Sequence, residues 1–255
     1  MAQKLKWTLS KKQLNMKRLN LLFILFMATI FITSCDEIFE EVVYGNNVVS
    51  SVERPAGDFD EIITTGPFDI YLTQSVSRQL VIEAEENLLP FIQTSYRGDN
   101  LYIEVEDGYQ LRNNAAIKIF TSTPVLHEIK LTGSGKVEMN SLETRWLDLK
   151  ITGSGDITIH QLLADELDAE ITGSGDIFLS GAVNNSELTI TGSGDIRSLD
   201  LSQEDCESTI SGSGNMYINV IHQLDAQITG TGNIYYLGSP LLTENITGTG
   251  RLIKY

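Results

Sequence analysis

The sequence predicts an all-β fold, a parallel β-solenoid (β-helix) with coils of about 18–20 residues, on three observations. A Thr-Gly-Ser-Gly motif recurs with slight variation, its first glycine at Gly133, Gly153, Gly173, Gly192, Gly212, Gly230 and Gly248; the spacings are 20, 20, 19, 20, 18 and 18. Aligned on that glycine, two columns are apolar in every unit. Two residues before it stand Leu131, Ile151, Ile171, Ile190, Ile210, Ile228 and Ile246; four residues after it stand Val137, Ile157, Ile177, Ile196, Met216, Ile234 and Leu252. Within a unit the alternation has period two, as in Leu147–Thr152 and Asp156–His160, the pattern of a strand with one buried face. A unit this short cannot bury its own apolar stripe, whereas a stack of such units can. Like residues then lie about 4.8 Å apart along the stack.

In chain order, residues 1–34 read as a lipoprotein signal peptide. Lys17 and Arg18 precede the apolar run Leu21–Ile32, in which only Thr29 is polar. That run is shorter than the roughly 20 residues a spanning helix needs, and it suits the core of a secretory signal. Ile32-Thr33-Ser34-Cys35 resembles the lipobox of bacterial lipoproteins, which implies a lipid on the Cys35 thiol and cleavage just before it. An uncleaved hydrophobic anchor is the alternative. Met16 alone would start an ordinary signal, so Met1 and Met16 both stand as starts. Residues 35–46 carry the acidic run Asp36–Glu41 and read as a tether, or as an export signal of the kind found behind some lipidated cysteines.

Residues 47–255 read as one solenoid domain. Its first part, 47–126, lacks the glycine motif but has strand runs at Phe68–Leu72, Leu80–Ala84, Leu101–Val105 and Ala116–Phe120. They are expected to form larger, irregular first coils that cap the stack; a separate small β-domain is the alternative. Thr65-Gly66 echoes the later corner. Residues 127–255 form seven glycine-cornered coils. Gln161–Glu170 looks helical by local propensity, but the register puts Leu167, Ala169 and Ile171 in inward columns and favours strand.

The lipobox, Gly66–Gln74 (GPFDIYLTQ), Glu83–Pro90 (EAEENLLP) and the serial GSGDI corners together resemble the head GIN domain family of auto-transporter adhesins, over about residues 47–255. The resemblance implies a right-handed parallel β-helix in a cell-envelope lipoprotein. It supplies no catalytic residues. This chain departs from the pattern mainly in its last three corners, where Asn215, Asn233 and Arg251 replace aspartate.

Charge narrows the partners. All 34 acidic residues follow Ser34, together with 12 basic ones, a balance of −22. Such a surface repels phosphate backbones, so no nucleic-acid partner is expected. The corner aspartates Asp156, Asp176 and Asp195 are the sharpest candidates for chemistry. Stacked carboxylates could hold calcium or serve as an acid and base pair on a sugar chain. Alternatively, Asp and Asn favour corners because their side chains bond nearby backbone; Lys136 and Arg251 in the same column suit that reading. His127, His160 and His222 fall in different columns, and no metal-ligand spacing surrounds them. Tyr217, Tyr235 and Phe178 suggest an outward aromatic patch, with Tyr236 inward. Cys206 falls among Leu147, Leu167, Leu224 and Leu242 and is expected to be a buried, unreactive thiol. The expectation is a non-catalytic, lipid-anchored protein of the outer membrane, on its periplasmic or surface face, with no cofactor. It would reach the membrane through Cys35 and present a rigid surface to a glycan or an envelope protein. A carbohydrate-binding or carbohydrate-cleaving β-helix using the corner aspartates is the alternative.

Overall fold

The computed structural model describes residues 40–255; the signal segment and Cys35 lie outside them. In the repeats the chain is strand almost throughout. Leu142–Gly153, Asp156–Gly173, Ile177–Gly192, Ile196–Gly212 and Met216–Gly230 each pair in parallel with the next. Asn233–Gly238, Leu241–Gly248 and Arg251–Lys254 complete the stack. The first glycines of the motif lie directly on one another from Gly133 to Gly248. The apolar columns at Ile151, Ile171, Ile190, Ile210 and Ile228 are buried, as are Leu167 and Ala169 in the segment with helical propensity. Burial of the inward face outweighs local preference there, because a helix would take Leu167, Ala169 and Ile171 off one face.

The corner needs both glycines, for different reasons. Gly173 has φ +138°, a conformation L side chains rarely adopt, and a Cβ there would run into the carbonyl oxygen of Gly153. Gly175 has no such dihedral constraint, but its Cβ would collide with the carbonyl oxygen of Gly155 one coil below. Backbones of successive corners therefore approach more closely than any side chain allows.

The amino-terminal part, expected to form larger, irregular first coils that cap the stack, contains one regular coil and a layer of other pairings. Glu61–Gly66 and Phe68–Gln74 form a coil in full register with the repeats: Gly66 pairs with Gly133 and Ile70 with Val137. Asn100–Val105 and Ile117–Thr123 come later in the chain yet lie on the far side of that coil. The chain thus lays down one coil, passes beneath it, and returns above it to Glu128–Gly133. The layer beneath is a cap with antiparallel partners. Val49–Glu53 pairs with Gln79–Glu85, Gln79–Glu85 with Ile117–Thr123, and Ile92–Arg97 with Asn100–Val105, all antiparallel. The physical reason is plain at Arg97-Gly98-Asp99-Asn100. A two-residue connection with Gly98 at φ +64° can only join antiparallel strands. Part of the segment read as tether is also structured, since Glu41–Tyr44 pairs in parallel with Tyr109–Arg112.

Glu85 ties the cap together. Its side chain is fully buried and accepts from the backbone N–H groups of Asn47 (2.6 Å), Asn114 (2.8 Å) and Ala115 (3.3 Å) and from Asn114 Nδ2 (3.1 Å). Burial works to raise its carboxyl, but these hydrogen bonds outweigh it and hold the group below the usual carboxylate range.

Candidate binding faces

Three of the outward columns bear on function, and each has a different chemistry. The first is the corner column. Asp156 Oδ1 accepts the backbone N–H of Asp176 at 2.9 Å, Asp176 Oδ1 that of Asp195 at 2.8 Å, and Asp195 Oδ1 that of Asn215 at 2.8 Å. Asn215 and Asn233 repeat the bond at 3.1 Å each, to Asn233 and Arg251. Each side chain therefore satisfies a backbone donor one coil above, and not one in its own turn. This accounts for the exceptions. Asp156 takes its acceptor from the Gly135 carbonyl at 3.1 Å, so Lys136 is tolerated below it. Arg251, in the last described coil, only donates. The column asks for an acceptor oxygen, which Asp and Asn supply equally. Among the described residues no cluster of His, Cys, Asp or Glu has the arrangement of a metal site.

The second column lies two residues further on. Register stacks Tyr71, Glu138, Thr158, Phe178, Arg197, Tyr217, Tyr235 and Ile253. Tyr217 and Tyr235 stack face to face, with centroids 4.9 Å apart and planes within 7°. The Arg197 guanidinium lies between Tyr217 and Phe178, 5.9 and 5.5 Å from their centroids, and is held by Asp195 at 3.1 Å. These rings spend their faces on one another, so the tyrosines offer edges and hydroxyls outward. Tyr236 is buried, in line with its inward column. Beside this column is a groove of about 680 Å³, lined by Thr158, His160, Phe178, Arg197, Asp200 and Tyr217 among others.

The third column was readable in the sequence and is absent from the expectations above. Five residues before each of the first six corner glycines stands an acid, Glu128, Asp148, Asp168, Glu187, Glu207 and Asp225, with Glu61 extending the stack below and Thr243 ending it above. Lys130 pairs with Glu128 at 2.7 Å, and Lys150 with Asp148 at 2.6 Å. From Asp168 upward, the described residues hold no ion pair on this column. Asp168 is exposed, yet desolvation by its neighbours first, and the charges of Asp148 and Glu187 next, push its carboxyl above the ordinary range.

The remaining candidates are dispersed. His127 stacks on Trp146 with centroids 4.3 Å apart, His160 Nε2 lies 3.3 Å from Glu138 Oε1, and His222 Nδ1 lies 3.8 Å from Glu204. Cys206 is buried between Ser186 and Leu224 in the predicted column. Burial pushes its thiol up to about 12, against a smaller opposing effect of a hydrogen bond with Ser186.

A family model described as "Putative auto-transporter adhesin, head GIN domain" matches residues 58–240. Several solved structures are similar to the chain. A "putative adhesin" from Bacteroides fragilis NCTC 9343 is 27% identical, with 84% of this chain and 100% of that one covered and a TM-score of 0.78. A "putative lipid binding protein" from Parabacteroides distasonis ATCC 8503 is 26% identical, with 84% and 100% covered and a TM-score of 0.71. A "putative adhesin" from Parabacteroides merdae ATCC 43184 is 25% identical, with 84% and 99% covered and a TM-score of 0.69. No curated protein matches the chain.

Proposed function

The chain belongs to the head GIN domain family, and on that premise we propose that it is a non-catalytic adhesion or binding protein of the cell envelope, carried on a lipid at Cys35. The observation that carries this reading is the division of labour between columns. The corner carboxylates, the best candidates for chemistry, hold coil to coil through their Oδ1 atoms. The aromatic and acidic columns run outward over many coils and are free to meet a partner. A rigid stack of this kind is suited to presenting an extended surface. The lipid would fix it to the outer membrane, facing the periplasm or the exterior.

Two measurements on cells and purified protein test the proposal together. Cys35→Ala should accumulate unprocessed precursor that takes up no labelled fatty acid; a mature chain beginning elsewhere contradicts the anchor. Beads coated with the wild-type protein should adhere to immobilised envelope preparations without releasing reducing sugar from polysaccharide. Turnover of a polysaccharide would establish an enzyme instead.

A further inference from the structure

The aromatic column has a gap. Phe178 is half-buried, and Arg197 covers one of its faces. On the other side its partner in the coil below is Thr158, too short to reach across a phenyl ring. Among the described residues no ring or cation stacks on that face. The next member of the column is Glu138, whose carboxylate meets His160 at 3.3 Å and Lys136 at 3.7 Å. Phe178 and Glu138 therefore stand two coils apart, about 9.6 Å by strand spacing, with Thr158 as the floor between them. A six-membered ring placed over Thr158 would sit at ordinary van der Waals distance from Phe178, where the column itself would otherwise place a side chain. The groove of about 680 Å³ begins at this rung and runs up past Phe178 to Tyr217, and its size is within the range of small-ligand clefts.

The walls say what kind of ring. One is an aromatic face, which favours an apolar ring surface. The other, one coil below Thr158, is the Glu138 carboxylate beside the His160 imidazole, and His160, Ser180 and Asp200 line the groove. A purely apolar occupant would desolvate those groups without bonding them. A pyranose has both an apolar C–H face and a rim of hydroxyls. Charge excludes the acidic sugars: Asp200 lines the groove, Glu138 stands one coil below Thr158, and the nearby cations Lys136 and Arg197 are engaged with Glu138 and Asp195. We infer that the Thr158 rung is a slot for one neutral pyranose ring of a glycan, stacked on Phe178 with its hydroxyls on Glu138 and His160. This rests on the binding reading above and names its partner.

The test uses the full-length protein on an array of neutral and uronate-bearing oligosaccharides, followed by titration calorimetry with the strongest neutral oligosaccharide. Phe178→Ala should weaken binding at least ten-fold. Thr158→Tyr should do the same while leaving Tm unchanged or raised, because the new ring stacks on Phe178 as Tyr217 stacks on Tyr235. Unchanged affinity in Thr158→Tyr, binding of uronates alone, or no binding to any neutral oligosaccharide overturns the inference. Bead adhesion to envelope preparations separates the two readings. Equal adhesion by wild type and Thr158→Tyr removes the slot and keeps the adhesion function, whereas no adhesion by the wild type removes that function itself.

Discussion

At Asp176 a side-chain oxygen stands in for a backbone carbonyl, and this decides how the corner column responds to substitution. Asn keeps the acceptor. Asp176→Asn should therefore leave Tm within experimental scatter, and calcium or chelator should shift neither protein. Asp176→Ala leaves the Asp195 N–H without its partner, and urea denaturation should show a loss of about 1 kcal/mol at this half-buried site. Cys206 gives a second check on the register. With its thiol pushed up to about 12, almost none is thiolate at pH 8. Labelling by thiol reagents should be slow in the native protein and fast after unfolding. Rapid native labelling would place Cys206 outside the leucine column. At this scale much was legible, because aligning the glycines fixes what each position faces. The column of acids at Asp148, Asp168 and Glu187 was equally open to that alignment. It was missed because the motif draws attention to the residues that follow it. The inter-coil bond of Asp176 was not legible, since sequence shows a corner preference without saying which backbone group is bonded.

At the scale of elements, the repeats and the cap differ in what specifies them. A parallel coil is recognisable because its neighbour repeats it; the cap strands have no such copy, and their direction depends on single turns such as Gly98-Asp99. Thr64, buried where the later coils carry Leu131 or Ile151, also hid the first coil, although Gly66 aligns with Gly133. Glu85 is the cap's pH-dependent member. Its carboxyl is held below the ordinary range, so its stabilising effect is complete above the unfolded value of about 4.3 and is lost as pH falls through the lower folded value. Hydrogen exchange should show the Asn47 and Asn114 amides losing protection on acidification before the amides of the central coils. Glu85→Gln keeps one acceptor oxygen and sets an NH₂ against the other N–H, so it should remove that protection from at least one of the two amides at neutral pH. Unaltered exchange in the variant would show that Glu85 does not hold the cap.

For the whole molecule, charge and connectivity matter more than any one contact. The balance of −22 after Ser34 includes a column of acids whose upper members lack cations, and it opposes contact with anionic surfaces. Asp168, whose carboxyl is raised by desolvation and like charge, should be replaceable. Asp168→Asn should raise Tm slightly at neutral pH, by a few tenths of a kcal/mol in stability at most for so exposed a group, and the gain should shrink in high salt. Connectivity is the deeper matter, because the pairing of Glu61–Gly66 with Glu128–Gly133 is what returns the chain above its first coil. Thr65 and Thr132 are exposed, 67 positions apart, and paired in adjacent strands. Their Cα atoms lie at about the 4.8 Å strand spacing, within reach of a disulfide. The most direct measurement is oxidation of Thr65→Cys/Thr132→Cys followed by peptide mass mapping. The register predicts an intramolecular 65–132 disulfide in a protein that keeps its native β-sheet circular dichroism. Two free thiols under conditions that oxidise accessible neighbours would mean that the coils follow one another in chain order, and the stacked columns would have to be redrawn.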